Sequence, residues 1–259
     1  MAAGSRGKHS SMNRIILTAE ECGSDGVVLL TDARAEHIRA VLKARAGDDV
    51  RTGVLNGLIG TSRVERLDEQ AVVLRTQHDE QAAEPWFDLI LAAPRPKVLK
   101  RLWPQLAALG AGRIVILNAF KVEKCYFSSQ WIEPAYYMPL LIEGLMQAGT
   151  TRLPDVQVKQ RFKPFMEDEL DTCFPKALRL IAHPGEAAGQ DWTLAAGQRP
   201  LLAVGPEGGW TDYELDMFLT RGFIPFSLGS RPLRTDTATI SLVAVLQERL
   251  LREKGNTVC

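Results

Sequence analysis

After Trp86 the chain returns five times to a compact apolar run, FDLILAAP, RIVILN, LRLIAH, PLLAVG and FIPFSLG, with helix-like segments between them. Apolar runs without polar alternation suit strands buried on both faces, and a parallel sheet covered by helices supplies that burial. This part of the chain is therefore expected to be α/β. Helices are predicted at 97–109, closed by Gly110, at 138–149, closed by Gly149, at 212–221 and at 237–253. Pro104 should kink or restart the first of them, because proline removes a backbone donor inside a helix.

The texture before Trp86 is different. From Arg14 to about Thr76 there are short β-type runs, RIIL, GVVLL, VRTGVL and QAVVLRT, separated by turn signals such as AGDD and LNG. One helical stretch, Ala35 to Ala44, places Ile38, Val41 and Leu42 on a common face. The pattern predicts a small β-barrel with one helix at 12–78. Polar QHDEQAAEP follows, giving a linker at 79–86 and an α/β domain at 87–255. Residues 1–11, MAAGSRGKHSS, are expected to be a disordered leader or a tag.

A chain of 259 residues can bury a full core in one or two domains. Its formal net charge is zero, so any surface for a phosphate-bearing partner must be local. No apolar run approaches the length of a membrane span, and the start lacks a signal-peptide core, so the expected location is the cytoplasm. Cys22, Cys125, Cys173 and Cys259 are scattered, without CxxC spacing or a nearby histidine cluster, so neither disulfides nor a metal site is expected.

Ligands of open α/β sheets bind beyond the carboxyl ends of strands, which directs attention to three loops. In the first, after LRLIA, His183, Pro184 and Gly185 make a tight turn that a ligand can approach closely. The second lies in LLAVGPEGGWTDYEL. Thr211 and Glu214 form a capping box, and Trp210 with Leu215 fits the staple around it, so a helix begins at Asp212. Gly205 to Gly209 then form a loop with little side-chain bulk and one carboxylate, Glu207. It is neither GxGxxG nor GxxxxGK, so the dinucleotide and P-loop readings lose their main support. The third is LGSRPLRTDTA. Arg231 and Arg234 precede Thr235, Asp236 and Thr237, the N-cap candidates of a helix expected to bury Ile240, Val243, Ala244, Gln247 and Leu250. Amide donors at that helix start favour anionic or acceptor groups. Two basic runs lie elsewhere, PRPKVLKR and VKQRFK, the second with Lys159, Arg161 and Lys163.

GPEGGWTDYE followed from Leu228 by LGSRPLRTDTA resembles the signature of the ribosomal RNA small-subunit methyltransferase E family, of the SPOUT class. The similarity runs from residue 14 to 250 and includes APRPKVLKRLWPQLAALGAGRIVILN. The resemblance implies a PUA-like N-terminal barrel, an α/β domain with a deep trefoil knot, a homodimer, and methylation of uridine N3 in 16S rRNA with S-adenosylmethionine. It gathers the three loops into one cofactor pocket: His183, Pro184 and Gly185; Val204, Gly205, Pro206, Glu207, Gly208 and Gly209; and Leu228, Gly229, Arg231, Leu233, Arg234, Thr235, Thr237 and Ala238. Expected RNA contacts are Arg95, Lys97, Lys100 and Arg101, with Arg152 from MQAGTTRLP. Two segments depart from the family pattern. MQAGTTRLP keeps Gln147, Gly149, Arg152 and Pro154 but has Met146 and Thr150, and the stretch after RIVIL carries Lys121, Glu123 and Lys124.

Attack by uridine N3 requires loss of its proton, and the resulting charge spreads over the flanking carbonyl oxygens. Arg234 is the first choice to stabilise that charge, with Arg231 as substitute. Glu207 and Asp236 are both candidates to take the proton. Two other readings remain at this level, a SPOUT enzyme acting on another RNA such as tRNA and a non-catalytic RNA-binding assembly factor.

Overall fold

The structure is a computed structural model that describes residues 13–23, 25–184 and 192–256. The leader read at 1–11 lies outside them. The chain divides into two compact units, Met1–Ala83 with Ile142–Leu153, and Glu84–Leu141 with Pro154–Cys259.

The first unit contains β1 (Ile15–Leu17), β2 (Val27–Leu30), α1 (Ala33–Glu36), β3 (Asp49–Val54), β4 (Ile59–Leu67) and β5 (Val72–Glu80). The strands form one sheet in the order β1-β3-β4-β5-β2, antiparallel except for β1 beside β3. β4 has no counterpart in the sequence reading. Its run IGTSRVERL is mostly polar, yet it buries Ser62 and Val64 between exposed neighbours. The helical stretch is also modified. α1 starts two residues earlier than expected, capped by the Asp32 carboxylate, and passes at once into a π-helical turn, His37–Val41. The Leu42 N–H reaches back five residues to the His37 carbonyl at 3.0 Å, which rotates the side chains of this turn away from α-helical spacing. Ile38 is accordingly buried, whereas Val41 is exposed, contrary to the shared face expected for them.

Arg14 organises the interior of this unit. Its side chain is buried and donates to the carbonyls of Gly149 at 2.9 Å, Thr52 at 2.6 Å and Gly60 at 2.9 Å, while its backbone N–H donates to Met146 O at 2.8 Å. Burial, then the charge of Arg51, lowers its pKa from the ordinary arginine value. Arg14→Met should remove the guanidinium donor from these carbonyls and destabilise the first unit by about 2–3 kcal/mol. A chemical denaturation curve checks this, and an unshifted midpoint for the transition of that unit would exclude it.

The second unit contains β6 (Phe87–Ala92), α2 (Pro96–Ala108), β7 (Ala111–Leu117), α3 (Pro134–Ala148, whose last turns belong to the first unit) and β8 (Asp155–Lys159). It continues with α4 (Phe162–Pro164), α5 (Leu170–Cys173), β9 (Ala177–Ala182), β10 (Arg199–Val204), α6 (Asp212–Thr220), β11 (Ile224–Phe226) and α7 (Thr235–Asn256). Six strands form a sheet in the order β11-β9-β10-β6-β7-β8, with every pairing parallel. The five apolar runs are β6, β7, β9, β10 and β11. β8 has no such run, because DVQVK is a half-buried edge strand with only two valines. α2 runs through Pro104 as one helix and buries Leu99, Leu102, Trp103, Leu106 and Ala107. No restart occurs there, since the helix is continuous across the proline. Proline also begins α3, and a second, Pro139, lies inside it. Asp88 is buried within β6, where its Oδ1 accepts from the Arg113 N–H at 2.8 Å and from Arg199 at 3.0 Å. Burial raises its pKa above the ordinary carboxylate value, and Arg199 opposes the shift.

α7 corrects another expectation. It begins at Thr235 and buries Thr235, Thr239, Leu242, Val243 and Leu246, while Ala244 and Gln247 are exposed and Ile240 and Leu250 only half-buried. Starting the helix two residues earlier does not by itself move a face. The observed buried stripe includes both threonines, and Thr239 Oγ1 donates to Thr235 O at 2.7 Å. No helix among the described residues is long and apolar enough to cross a membrane.

Candidate functional site

The carboxyl ends of β9, β10 and β11 open onto one cavity of about 310 Å³. This is within the usual range of small-molecule sites, about 300–1,000 Å³. β9 lies between β10 and β11 in the sheet, so the loops that leave these strands emerge side by side. The His183 N–H donates to Phe226 O at 3.3 Å and ties two of the strand ends together.

The middle loop is fixed at both ends. Pro206 O accepts from the Gly209 N–H at 2.8 Å, and Gly209 has φ +69°, a left-handed conformation that glycine adopts without strain. A side chain at Gly205 would place its Cβ 3.1 Å from Trp210 Nε1, so glycine there keeps the cavity wall flat against the indole. Thr211 caps α6 as predicted, and both halves of the capping box are present. Glu214 does more than close the box. Its carboxylate is buried and accepts from the Thr211 N–H and hydroxyl, each at 2.9 Å, and from the Phe120 N–H at 2.8 Å. The loop after β7 is thereby bound to the start of α6, and Lys121 adds a second tie through its Nζ, 2.8 Å from Gly208 O. Sequence reasoning assigned Glu214 only its local role, because its second partner is 94 residues away.

Most of the expected residues share this cavity. His183, Pro184, the whole of Val204–Gly209, Leu228, Gly229, Arg231, Leu233, Thr235 and Ala238 line it. Arg234 and Thr237 do not. Both are exposed in the chain around the start of α7, where Arg234 O accepts from the Ala238 N–H at 2.8 Å. Gly185 lies outside the described residues. Sequence reasoning missed Ala182, Phe226, Ser227 and Leu242 on the wall and assigned Trp210 a packing role only. Leu242 could have been found, since it lies one helical turn beyond Ala238. Trp210 Nε1 is buried without a hydrogen-bond partner among the described residues, so the wall carries a donor that none of their groups satisfies.

The two carboxylates proposed as proton acceptors differ in placement. Glu207 is on the wall, where its Oε1 is 3.4 Å from the Arg95 N–H and 3.9 Å from Arg95 Nε. Asp236 is off the wall and engaged, accepting from Arg101 at 2.8 Å and from the Thr237 N–H at 2.9 Å. Other basic residues are distributed over both units. Lys97 is exposed on α2, and Lys100 stands 4.6 Å from the centre of the Trp131 ring. Arg152 is in the first unit, donating to Asn56 O at 3.1 Å. Lys159 and Lys163 pair with Glu169 and Glu167. Among the described residues no group of three or more His, Cys, Asp or Glu side chains could hold a metal ion.

Residues 82–247 match a family described as RNA methyltransferase domain. The chain is 30% identical over 241 residues to the ribosomal RNA small subunit methyltransferase E of Treponema pallidum, covering 91% of this chain and 90% of that protein. It is 26% identical to the ribosomal RNA small subunit methyltransferase E 1 of Borreliella burgdorferi, covering 93% and 99%. Its fold is similar to that of the corresponding Neisseria gonorrhoeae protein, a crystal structure bound to S-adenosyl methionine, with TM-score 0.72, 22% identity and coverage of 92% and 97%.

Proposed function

The chain belongs to the RNA methyltransferase domain family, as a member of its ribosomal RNA small subunit methyltransferase E group, and on that basis we propose that it methylates N3 of a uridine in 16S rRNA with S-adenosylmethionine. The observation that carries this reading is the cavity at the ends of β9, β10 and β11, with a glycine-walled loop, one carboxylate and one arginine on the same wall. The residues present suit the cofactor. Glycines leave backbone amides and carbonyls accessible to a ribose and adenine, and the unsatisfied Trp210 N–H offers a further donor. When bound, the cofactor supplies a methyl group activated by its sulfonium.

The protein's part is positioning and charge. In-line approach of the nucleophile contributes most, so the rigid ties of the middle loop bear directly on rate. Glu207 is the proton acceptor in this reading, because it faces the cavity while Asp236 is held by Arg101. Arg231, from the wall, and Arg234, from the start of α7, stabilise the charge on the uridine carbonyls. The remaining expectations belong to the same proposal: domains at 12–78 and 87–255 joined by 79–86, with β5 running on to Glu80 and Ile142–Leu153 grouped with the first unit, a PUA-like barrel in the first unit, a trefoil knot among the three loops, a homodimer, and action in the cytoplasm. Arg95, Lys97, Lys100 and Arg101 serve as RNA contacts, Arg101 while paired with Asp236.

Labelled S-adenosylmethionine offered with isolated small subunits, free 16S rRNA or tRNA tests this. Label should enter 16S rRNA, and reverse transcription should stop at one uridine, because an N3 methyl group blocks its pairing edge. Labelling of tRNA alone would move the assignment to another RNA. Cofactor binding without transfer to any RNA would favour the assembly factor.

A further inference from the structure

Phe120 is 83% exposed, the highest value for any large apolar side chain among the described residues. It is not on a loose loop. Ala119 and Val122 on either side are buried, and the Val122 N–H donates to Ala119 O at 3.0 Å, closing a turn that directs Phe120 outward. Its own N–H is held by the buried Glu214 carboxylate, and the next residue, Lys121, is tied to Gly208 on the cavity wall. An aromatic ring is therefore kept in solvent by a backbone fixed to the same loop that lines the cavity. Its neighbours in the chain carry two cations and one carboxylate, Glu123, which is exposed between them. Lys121 and Lys124 are exposed beside it, and Arg95 flanks the same loop at Glu207.

We infer that Phe120 is a stacking platform for an unpaired base of the substrate RNA, with Lys121 and Lys124 placed for the adjoining phosphates. This rests on the reading of the chain as an RNA methyltransferase. Recognition of single-stranded RNA combines aromatic faces, on which bases stack, with basic side chains along the backbone, and both are found here within five residues. The Watson–Crick edge of a uridine must leave any duplex before N3 can react, so a surface that holds an unstacked neighbour favours the reactive state. Glu214 is a positioning residue in this arrangement, acting through the Phe120 N–H.

The test compares wild type with Phe120→Ala, Phe120→Leu and Phe120→Trp. Four readouts are used: Kd for single-stranded oligouridine by fluorescence anisotropy, KM and kcat on isolated small subunits, Kd for S-adenosylmethionine by calorimetry, and mass by light scattering. Alanine and leucine should both weaken oligouridine binding and raise KM by about tenfold. Tryptophan should restore both, with kcat, cofactor affinity and mass unchanged. Unaltered oligouridine affinity in Phe120→Ala would overturn the inference. So would full rescue by leucine, which has apolar bulk without a stacking face, or a change in mass, which would assign the ring to a second copy of the chain. Phe120-dependent binding in a wild-type protein that methylates none of the RNAs would instead defeat the methyltransferase reading and leave the stacking platform standing.

Discussion

Glu214→Ala is expected to destabilise the second unit by about 2–4 kcal/mol, the combined effect of losing the carboxylate half of the capping box and leaving part-buried N–H groups unsatisfied. The donors at stake are the N–H groups of Thr211 and Phe120, which the alanine methyl group cannot satisfy. The loss should extend beyond stability. Without the carboxylate, the loop after β7 loses its tie to the start of α6 through Phe120 and keeps that to the cavity wall through Lys121, so affinity for S-adenosylmethionine should fall along with the unfolding midpoint. Glu214→Gln retains one acceptor oxygen and should fall between wild type and alanine. Thermal unfolding combined with calorimetry checks both effects, and a midpoint within about 1 °C of wild type would show that the buried carboxylate contributes nothing.

Arg231→Ala should reduce kcat by about 10²–10³-fold, the scale seen when one preorganised donor to a developing oxyanion is removed. Arg231 lies on the cavity wall, whereas Arg234 does not, so Arg234→Ala is expected to have the smaller effect on kcat. Single-turnover rates at saturating cofactor, with circular dichroism to confirm folding, separate the two. A larger loss in Arg234→Ala would return the charge-stabilising role to that residue, as the sequence motif alone suggested. Rates within about threefold of wild type in both variants would remove the arginines from the chemistry. Lysine at position 231 keeps the charge but not the planar fork of donors, so it should recover only part of the rate.

Much of the second unit was legible in one dimension because its signals are local. The five apolar runs became strands, since a strand buried on both faces needs no partner to reveal it. Thr211 and Glu214 marked the start of α6 because a capping box closes within four residues. The elements that failed are those whose burial depends on a neighbour. β4 hides a serine and a valine among charged residues, β8 is an edge strand, and the π-helical turn after α1 turned Val41 outward.

The candidate site divides along the same line. Residue order alone settles which three loops follow buried strands, where α6 begins, and that a glycine-rich loop carries a single carboxylate, because each of these depends on spacing within a few residues. Three-dimensional packing was needed to establish that β9 lies between β10 and β11, that Arg231 rather than Arg234 lines the cavity, that Asp236 is held by Arg101, and that Glu214 fixes Phe120. Such pairings join residues up to 135 positions apart, and no local periodicity records them because the energy that selects them comes from packing the whole sheet.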